Sequence, residues 1–217
     1  MKRSVPRSLA AASLAIATLA ACSAGRAGGR TPSGSGTPAG ASNSSNRPIG
    51  GYPHTVADVH FMSGMIPHHA QAVQMARWAP SHEASDALRR LCERIVVAQR
   101  DEIELMRTWL QDRGEKVPDA DAHHGHDGTL MPGMLTAEQM TQLDRARGTE
   151  FDRLFLTFMI QHHEGAVTMV DALFASEGAG QDEIVFRLAS DIYADQTTEI
   201  ERMHKMLAAL PNAERRP

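Results

Sequence analysis

The chain has 217 residues, 42% of them hydrophobic, and carries 22 Lys and Arg against 26 Asp and Glu, for a net charge of −4. The mild acidic excess is evenly scattered, so the sequence lacks the basic stripe that is typical of nucleic-acid-binding proteins. The segment from about residue 52 to 210 has the length of one domain.

The first 21 residues are typical of a signal peptide. Lys2, Arg3 and Arg7 make a basic start, and the apolar run from Leu9 to Ala21 is too short to span a membrane. The run ends in LAAC, which resembles a bacterial lipobox and predicts that Cys22 carries a lipid. An ordinary secretory signal that happens to contain a cysteine is the alternative, and both interpretations predict an extracytoplasmic protein. We expect a membrane-anchored lipoprotein that faces the periplasm or the cell exterior.

The rest of the chain divides into three parts by composition. Residues 22–51 are rich in Gly, Ser, Thr and Pro, which predicts a flexible tether. Residues 52–210 form the predicted domain, and residues 211–217 form a tail. With Cys22 lipidated, Cys92 is the only remaining thiol, so we expect no internal disulfide and a domain that depends on its hydrophobic core.

The domain is predicted to be all-α. Apolar residues recur at spacings of three and four, and no run alternates as a strand does. Caps, glycines and prolines mark the predicted ends. The four predicted helices are Val56–Trp78 with Thr55 as N-cap, a helix from a Ser81 cap to Arg113 and Gly114, a helix from a Thr136 and Gln139 capping box to Gly178 with a bend near Gly148, and Gln181–Leu210 before Pro211.

The sequence contains an internal duplication. MIPHHAQAVQM at 65–75 is repeated as MIQHHEGAVTM at 159–169, and QRDEIELM at 99–106 is repeated as QTTEIERM at 196–203. A helix pair has therefore been repeated. Two such hairpins are expected to pack into an up-down-up-down four-helix bundle.

Helical geometry gathers the repeated Met and His residues on one face of each helix. At 100° per residue, Met65, His68, His69 and Met75 share a stripe with core-facing apolar residues. Their equivalents do the same, and so do polar residues of the partner helices. The residues expected near the bundle axis include the following equivalents and partners: Met159, His162, His163, Met169, Gln99, Glu102, Met106, Gln196, Glu199 and Met203.

Metal binding explains these residue types together. A single buried methionine or histidine usually serves only packing, but four buried imidazole rings without partners carry a desolvation cost. Thioethers suit Cu(I), whereas imidazole accepts Cu(I), Cu(II) and zinc. Glu102 and Glu199 are predicted to accept hydrogen bonds from coordinating imidazoles. The predicted ligands are Met62, Met65, His68, His69, Met75, Met106, His123, His124, His126, Met131, Met134, Met159, His162, His163, Met169, Met203 and His204.

Two local features modify this prediction. Pro67 removes the amide that would bond the Ser63 carbonyl, so the first helix either kinks there or begins there. The segment between the halves carries HHGH at 123–126 and MPGM at 131–134. On a flexible loop, these residues would capture copper from solution, with a merely solvated polar loop as the alternative.

An enzyme and an interaction module are the alternatives to a binding protein. Di-iron oxidoreductases on four-helix bundles need Glu-x-x-His on two helices. Here Glu201 and His204 make one such motif, but the matching position pairs Glu104 with Arg107. The H-E-x-x-H motif of zinc proteases is absent. The sequence therefore favours a binding protein without turnover over an enzyme or over a non-metal interaction module.

Three segments carry a resemblance to a known family: MIPHHAQAVQMA, MPGMLTAEQM and FDRLFLTFMIQHHEGAVTMV. They resemble the signatures of the bacterial "domain of unknown function" family 305, whose characterised members are exported copper-binding proteins of the CopM type. The resemblance covers residues 56–208 and implies a ferritin-like four-helix bundle. It also implies binding of copper and silver through Met and His in metal resistance or homeostasis, with copper-handling proteins as partners. Cys92 departs from the pattern and is expected to fill core space.

Overall fold

The computed structural model describes residues 54–119 and 130–211. Within these ranges the chain is all-helical, with five helices and no strand. None of these helices combines the length and the apolar character needed to cross a bilayer. The helices are α1 (Val56–Arg77), α2 (Asp86–Asp112), α3 (Ala137–Arg145), α4 (Gly148–Ala175) and α5 (Glu183–Ala209).

Helix α1 begins where its capping signal predicts. The Thr55 side chain accepts from the Asp58 amide, and the Asp58 carboxylate accepts from the Thr55 amide at 2.7 Å. The same carboxylate accepts from the Gly180 amide at 2.7 Å, which ties the cap to the segment before α5. The helix continues through Pro67, so the alternative that the helix begins at this proline is wrong.

Helix α2 begins four residues later than predicted. Ser85, not Ser81, is its N-cap and accepts from the Leu88 amide at 3.3 Å. The amides of Ser81 and His82 both bond the Trp78 carbonyl at 3.0 Å, so this segment closes a turn instead of starting a helix. Its other end agrees with the prediction, because α2 stops before Gly114, whose φ of 70° is the left-handed conformation that glycine favours.

The predicted third helix is two helices. Thr136 and Gln139 form the predicted capping box, but α3 ends at Arg145. The chain leaves the helical conformation at Ala146 before α4 begins, and the Gly148 amide donates to the His82 carbonyl at 2.9 Å. This contact between distant segments converts the predicted bend into a break. Helices α4 and α5 lie within one to three residues of their predicted ends.

The helices pack as two hairpins that meet through α1 and α4. Helix α1 packs along α2, and α4 packs along α5. One buried cluster contains Met75, Met159 and Met203, and the other contains Met65 with Ala166. Residues early in α1 thus lie with residues late in α4 and the reverse, so α1 and α4 run in opposite directions. The helices α1, α2, α4 and α5 therefore run up, down, down and up. The predicted up-down-up-down order is wrong, because the connection from α2 to α4 returns to the end at which α2 began. Each cluster combines residues from both halves of the duplication.

Candidate metal site

The two histidine pairs meet where α1 crosses α4. The ring centroids of His68 and His162 are 3.9 Å apart, with 42° between the ring planes. His69 and His163 flank this contact, with centroids 6.4 Å and 6.3 Å from those of their sequence neighbours. All four side chains are buried. Equivalent residues of the duplication therefore face each other, as the stripe on each helix predicts.

Glutamates from the partner helices hold the outer histidines. His69 Nε2 donates to Glu102 Oε2 at 2.7 Å, and His163 Nε2 donates to Glu199 Oε2 at 2.8 Å. The inner His68 donates through Nε2 to the Pro132 carbonyl at 3.0 Å. A neutral imidazole with its proton on Nε2 keeps its lone pair on Nδ1. These hydrogen bonds therefore leave three Nδ1 atoms free to accept a bond.

The remaining ring nitrogens have no hydrogen-bond partner among the described residues. The Nδ1 atoms of all four histidines are buried and unpaired, and so is the Nε2 of His162. A buried polar atom without a partner costs about 1–3 kcal/mol. Helix packing alone gives no reason for this cost, whereas a ligand that accepts lone pairs would remove it.

The buried rings are held in the neutral form. Burial and, to a smaller extent, the neighbouring His69 lower the pKa of His68 to about 3. Burial and the adjacent histidines lower the pKa of His162, and burial also lowers the pKa of His163 against the opposing effect of Glu199. Neutral imidazole is the form that coordinates metal ions, because protonation removes the lone pair.

Most of the predicted methionine ligands are buried in the two clusters beside the histidines. These fully buried methionines are Met62, Met65, Met75, Met106, Met159 and Met203. Met169 is only partly buried; it packs against the edge of one of these clusters and lies near Met131. A Cβ atom on Gly64 would lie 3.3 Å from Met169 Cε and 3.5 Å from Met131 Sδ. The predicted methionines therefore form a fully buried set and a pair at its edge beside α1.

That methionine pair lines an open cavity of about 820 Å³. His54 and His60 also line it, and His54 lies 3.6 Å from Glu115. The cavity also contacts Pro67, the residue before the buried pair, so this opening reaches the helix turn that carries His68.

Residues 131–135, here called the strap, pack across α1 and α4. Gln71 bonds Leu135 twice, since its Oε1 accepts from the Leu135 amide at 2.8 Å and its Nε2 donates to the carbonyl at 3.1 Å. Gln161 Nε2 donates to the Gly133 carbonyl at 3.2 Å. Met131 and Met134 are 7% and 2% exposed. The expectation that MPGM lies on a flexible loop is therefore wrong, because these hydrogen bonds fix it over the histidines.

Some predicted ligands do not join this arrangement. His204 is exposed on α5, unlike the four buried histidines. Cys92 is 2% exposed in an apolar cluster, where burial raises the pKa of its thiol, so it fills core space as expected. His123, His124, His126 and Cys22 lie outside the described residues. Among the described residues, no group of three or more His, Cys, Asp or Glu side chains is arranged to hold an ion.

Three residues that shape the site were not predicted: Gln71, Pro132 and Gly165. Gln71 and Pro132 act through contacts with distant segments, which helical periodicity does not reveal. A Cβ atom on Gly165 would lie 2.1 Å from the Pro132 carbonyl oxygen, so the strap needs a glycine there. One difference between the repeated segments could have pointed to these residues. The segment 159–169 has Gly165 where the segment 65–75 has Gln71, which indicates that the two halves contact different surroundings at this position.

The chain matches the family model described as Domain of unknown function (DUF305) over residues 58–207. A Streptomyces coelicolor DUF305 protein described as secreted superposes with a TM-score of 0.62 at 28% identity, covering 70% of this chain and 92% of that one. A DUF305 fragment from Deinococcus radiodurans superposes with a TM-score of 0.62 at 28% sequence identity. The match covers 73% of this chain and 100% of that one. CopM in its Cu(II)-bound form superposes with a TM-score of 0.57 at 30% sequence identity, and the match covers 70% of this chain and 95% of that one. The Cu(I)-bound and silver-bound forms of CopM also match.

One curated protein also matches, an uncharacterized protein of Acanthamoeba polyphaga mimivirus. The two are 31% identical over 58 residues. The match spans 38% of that protein and 27% of this chain.

Proposed function

The chain belongs to the DUF305 family, and from this premise we propose that it binds copper, and also silver, through clusters of Met and His residues. Its role is to sequester or deliver the metal outside the cytoplasm, in metal resistance or homeostasis. CopM, which has been solved with Cu(I), Cu(II) and silver, supports metal handling by a related chain of similar fold.

The unpaired nitrogens of the buried histidines carry this proposal. In three of the four rings, Nε2 is fixed by an oxygen acceptor while Nδ1 is buried and unpaired. A coordinating histidine normally has this arrangement, because the hydrogen bond orients the ring and raises its basicity. The fourth ring, His162, has both nitrogens available. The donor set therefore fits a metal ion better than it fits a packed core.

The methionines narrow the choice of ion. Thioether sulfur is a soft ligand that favours Cu(I) and Ag(I), whereas zinc would make use of the histidines alone. Met65 and Met159 each lie one helical turn before a histidine pair and are fully buried. A mixed Met and His set is also stable in an oxidising compartment, where a free thiol would be oxidised.

The proposal extends to the whole chain. We take the two hairpins as a ferritin-like four-helix bundle over residues 52–210, with the helices α1, α2, α4 and α5 in up-down-down-up order. A signal peptide at 1–21 and a lipid on Cys22 with its tether at 22–51 would hold the bundle at the membrane surface. Copper-handling proteins are the expected partners, with no role for nucleic acid.

The enzyme alternative gains little support. Glu201 is solvent-exposed and lies 3.9 Å from Lys205, and His204 is also exposed. A di-iron centre requires its Glu-x-x-His motifs to project inward. A non-metal interaction module would not explain why one nitrogen in each buried ring, and both in His162, have no partner among the described residues.

Anaerobic competition on the mature protein tests the proposal. Wild type should take Cu(I) and Ag(I) in preference to Zn(II), and each bound ion should raise the unfolding temperature. An ion that binds only the native state stabilises it by about 2.7 kcal/mol at a hundredfold excess over Kd. Replacing His68, His69, His162 and His163 with Gln should abolish most of this rise while leaving the metal-free protein folded.

His204→Gln is the matched control, since this exposed histidine should not affect the metal-induced rise. Equal rises in wild type and in the four-histidine variant would remove these histidines from the site. Equal affinity for Zn(II) and Cu(I) would contradict the role of the methionines.

A further inference from the structure

A groove of about 330 Å³ lies between α2 and α5. Its polar lining includes Gln99 and Glu102 from α2 and Asp195, Gln196 and Glu199 from α5. Gln99 is the equivalent of Gln196 in the duplicated sequence, and Glu102 is the equivalent of Glu199. The duplication therefore creates a second place where equivalent polar residues meet, separate from the contact between the inner histidines.

The two glutamines in this groove have unpaired oxygens. Gln99 and Gln196 are 3% and 4% exposed, and neither Oε1 atom has a hydrogen-bond partner in the described part of the chain. A buried amide oxygen without a partner is costly, and native proteins rarely retain one without a reason. Because both side chains line the same groove, one bound group could satisfy both oxygens.

The charge of the groove selects the kind of group. Glu102 and Glu199 each engage a histidine through Oε2, and partial burial together with these two glutamates raises the pKa of Asp195. Within the described ranges, 54–119 and 130–211, no Lys or Arg forms an ion pair with these three carboxylates. Arg94 also lines the groove. Three carboxylates against one arginine leave net negative charge beside the two amide oxygens, which favours a cation.

We propose that this groove binds a divalent metal cation through the amide oxygens of Gln99 and Gln196 and the carboxylates of Glu102 and Glu199. Carboxylate, amide and water oxygens suit hard or borderline divalent ions, whereas soft Cu(I) and Ag(I) prefer sulfur. The site needs only two ionisable ligands, because the amides supply the others.

Both glutamates connect the groove to the histidines. Glu102 lines the groove and bonds His69, and Glu199 lines it and bonds His163. A cation held in the groove is therefore one side chain away from each outer imidazole. If the proposed function holds, and this step rests on it, the groove receives hydrated Cu(II) from solvent and passes it to the buried rings.

Binding of Mn(II) tests the site, because this ion prefers oxygen ligands and has little affinity for thioethers. Titration of the mature protein, followed by loss of the free Mn(II) signal in electron paramagnetic resonance, should give about one site per chain. The double variant Gln99→Leu/Gln196→Leu should weaken this binding at least tenfold, because it removes the two amide oxygens while keeping similar volume. Gln111→Leu, an exposed position on α2, should bind Mn(II) as wild type does.

Two outcomes would overturn the inference: no Mn(II) binding by wild type, or equal binding by wild type and the double variant. Circular dichroism should show the double variant folded, with stability equal to or above that of wild type, since unpaired buried oxygens are lost. Ag(I) binding, measured in parallel, tests the histidine and methionine site independently. If the wild-type protein binds Mn(II) but not Ag(I), the proposed function is rejected and the cation site in the groove stands.

Discussion

At the scale of single residues, proton placement matters more than proximity. His68 and His162 lie in contact, and two like charges at this distance in a buried site would repel strongly. The structure avoids this by keeping the rings neutral and by directing the Nε2 protons of three of them toward oxygen. Three Nδ1 lone pairs are therefore left unprotonated in the folded chain.

This protonation pattern predicts that the metal-free protein loses stability in mild acid. The pKa values of His68, His162 and His163 are lowered by folding, so below the unfolded pKa of about 6.5 the unfolded chain binds more protons. The free energy of unfolding should fall by about 1.4 kcal/mol per pH unit for each such histidine, down to the folded pKa of about 3 for His68.

Urea denaturation at pH 7.5, 6.5 and 5.5 measures this dependence. His162→Gln should reduce the slope, because one buried titrating ring is removed, whereas His204→Gln should leave it unchanged. A free energy of unfolding that stays constant from pH 7.5 to 5.5 would show that the buried rings do not resist protonation.

At the scale of elements, the strap is the part that makes the two halves unequal. On α1 it is held by Gln71 and His68, and on α4 by Gln161 and close contact with Gly165. The opposite face of the histidine contact has no equivalent segment among the described residues. The halves are therefore alike in their helices and different in what covers them.

Gly165→Ala should destabilise the protein by about 1–3 kcal/mol, the usual cost of overpacking. The new methyl group would lie 2.1 Å from the Pro132 carbonyl oxygen and 2.6 Å from Gly133 Cα, so backbone must move. In an exposed helix the same change would stabilise by about 1 kcal/mol. Chemical denaturation gives the sign, and any stabilisation would show that the strap does not rest on α4.

Gly64→Ala is the matched control on α1. Its methyl group would meet only the flexible ends of Met169 and Met131, at 3.3 Å and 3.5 Å. Because these side chains can adjust, the free energy of unfolding should stay within about 1 kcal/mol of wild type.

The sequence predicted the elements better than their junctions. Thr55 and the pair Thr136 and Gln139 are local capping signals, and the structure confirms them. The predicted start of α2 was wrong, and the break before α4 was not predicted. Both features depend on contacts between distant segments, such as the hydrogen bond from the Gly148 amide to the His82 carbonyl. The inward histidines follow from helical period, whereas the strap follows from no local pattern.

At the scale of the whole molecule, the prediction of a lipid anchor on Cys22 can be tested by cell fractionation. If Cys22 carries a lipid, Cys22→Ala should move the protein from the membrane fraction to the soluble fraction. Cys92→Ala is the control and should remain with the membrane, since this buried thiol has no part in anchoring. Cell fractionation and immunoblotting measure the distribution, and membrane retention of the Cys22 variant would contradict lipidation.

The contact between His68 and His162 also bears on assembly. Each hairpin supplies one histidine pair, so a single hairpin would hold half of the donor set and would need to find a second copy in solution. Covalent linkage of the two halves replaces that encounter with a high effective concentration inside one molecule. The four buried histidines then come together at any dilution of the protein, so their contact does not depend on protein concentration.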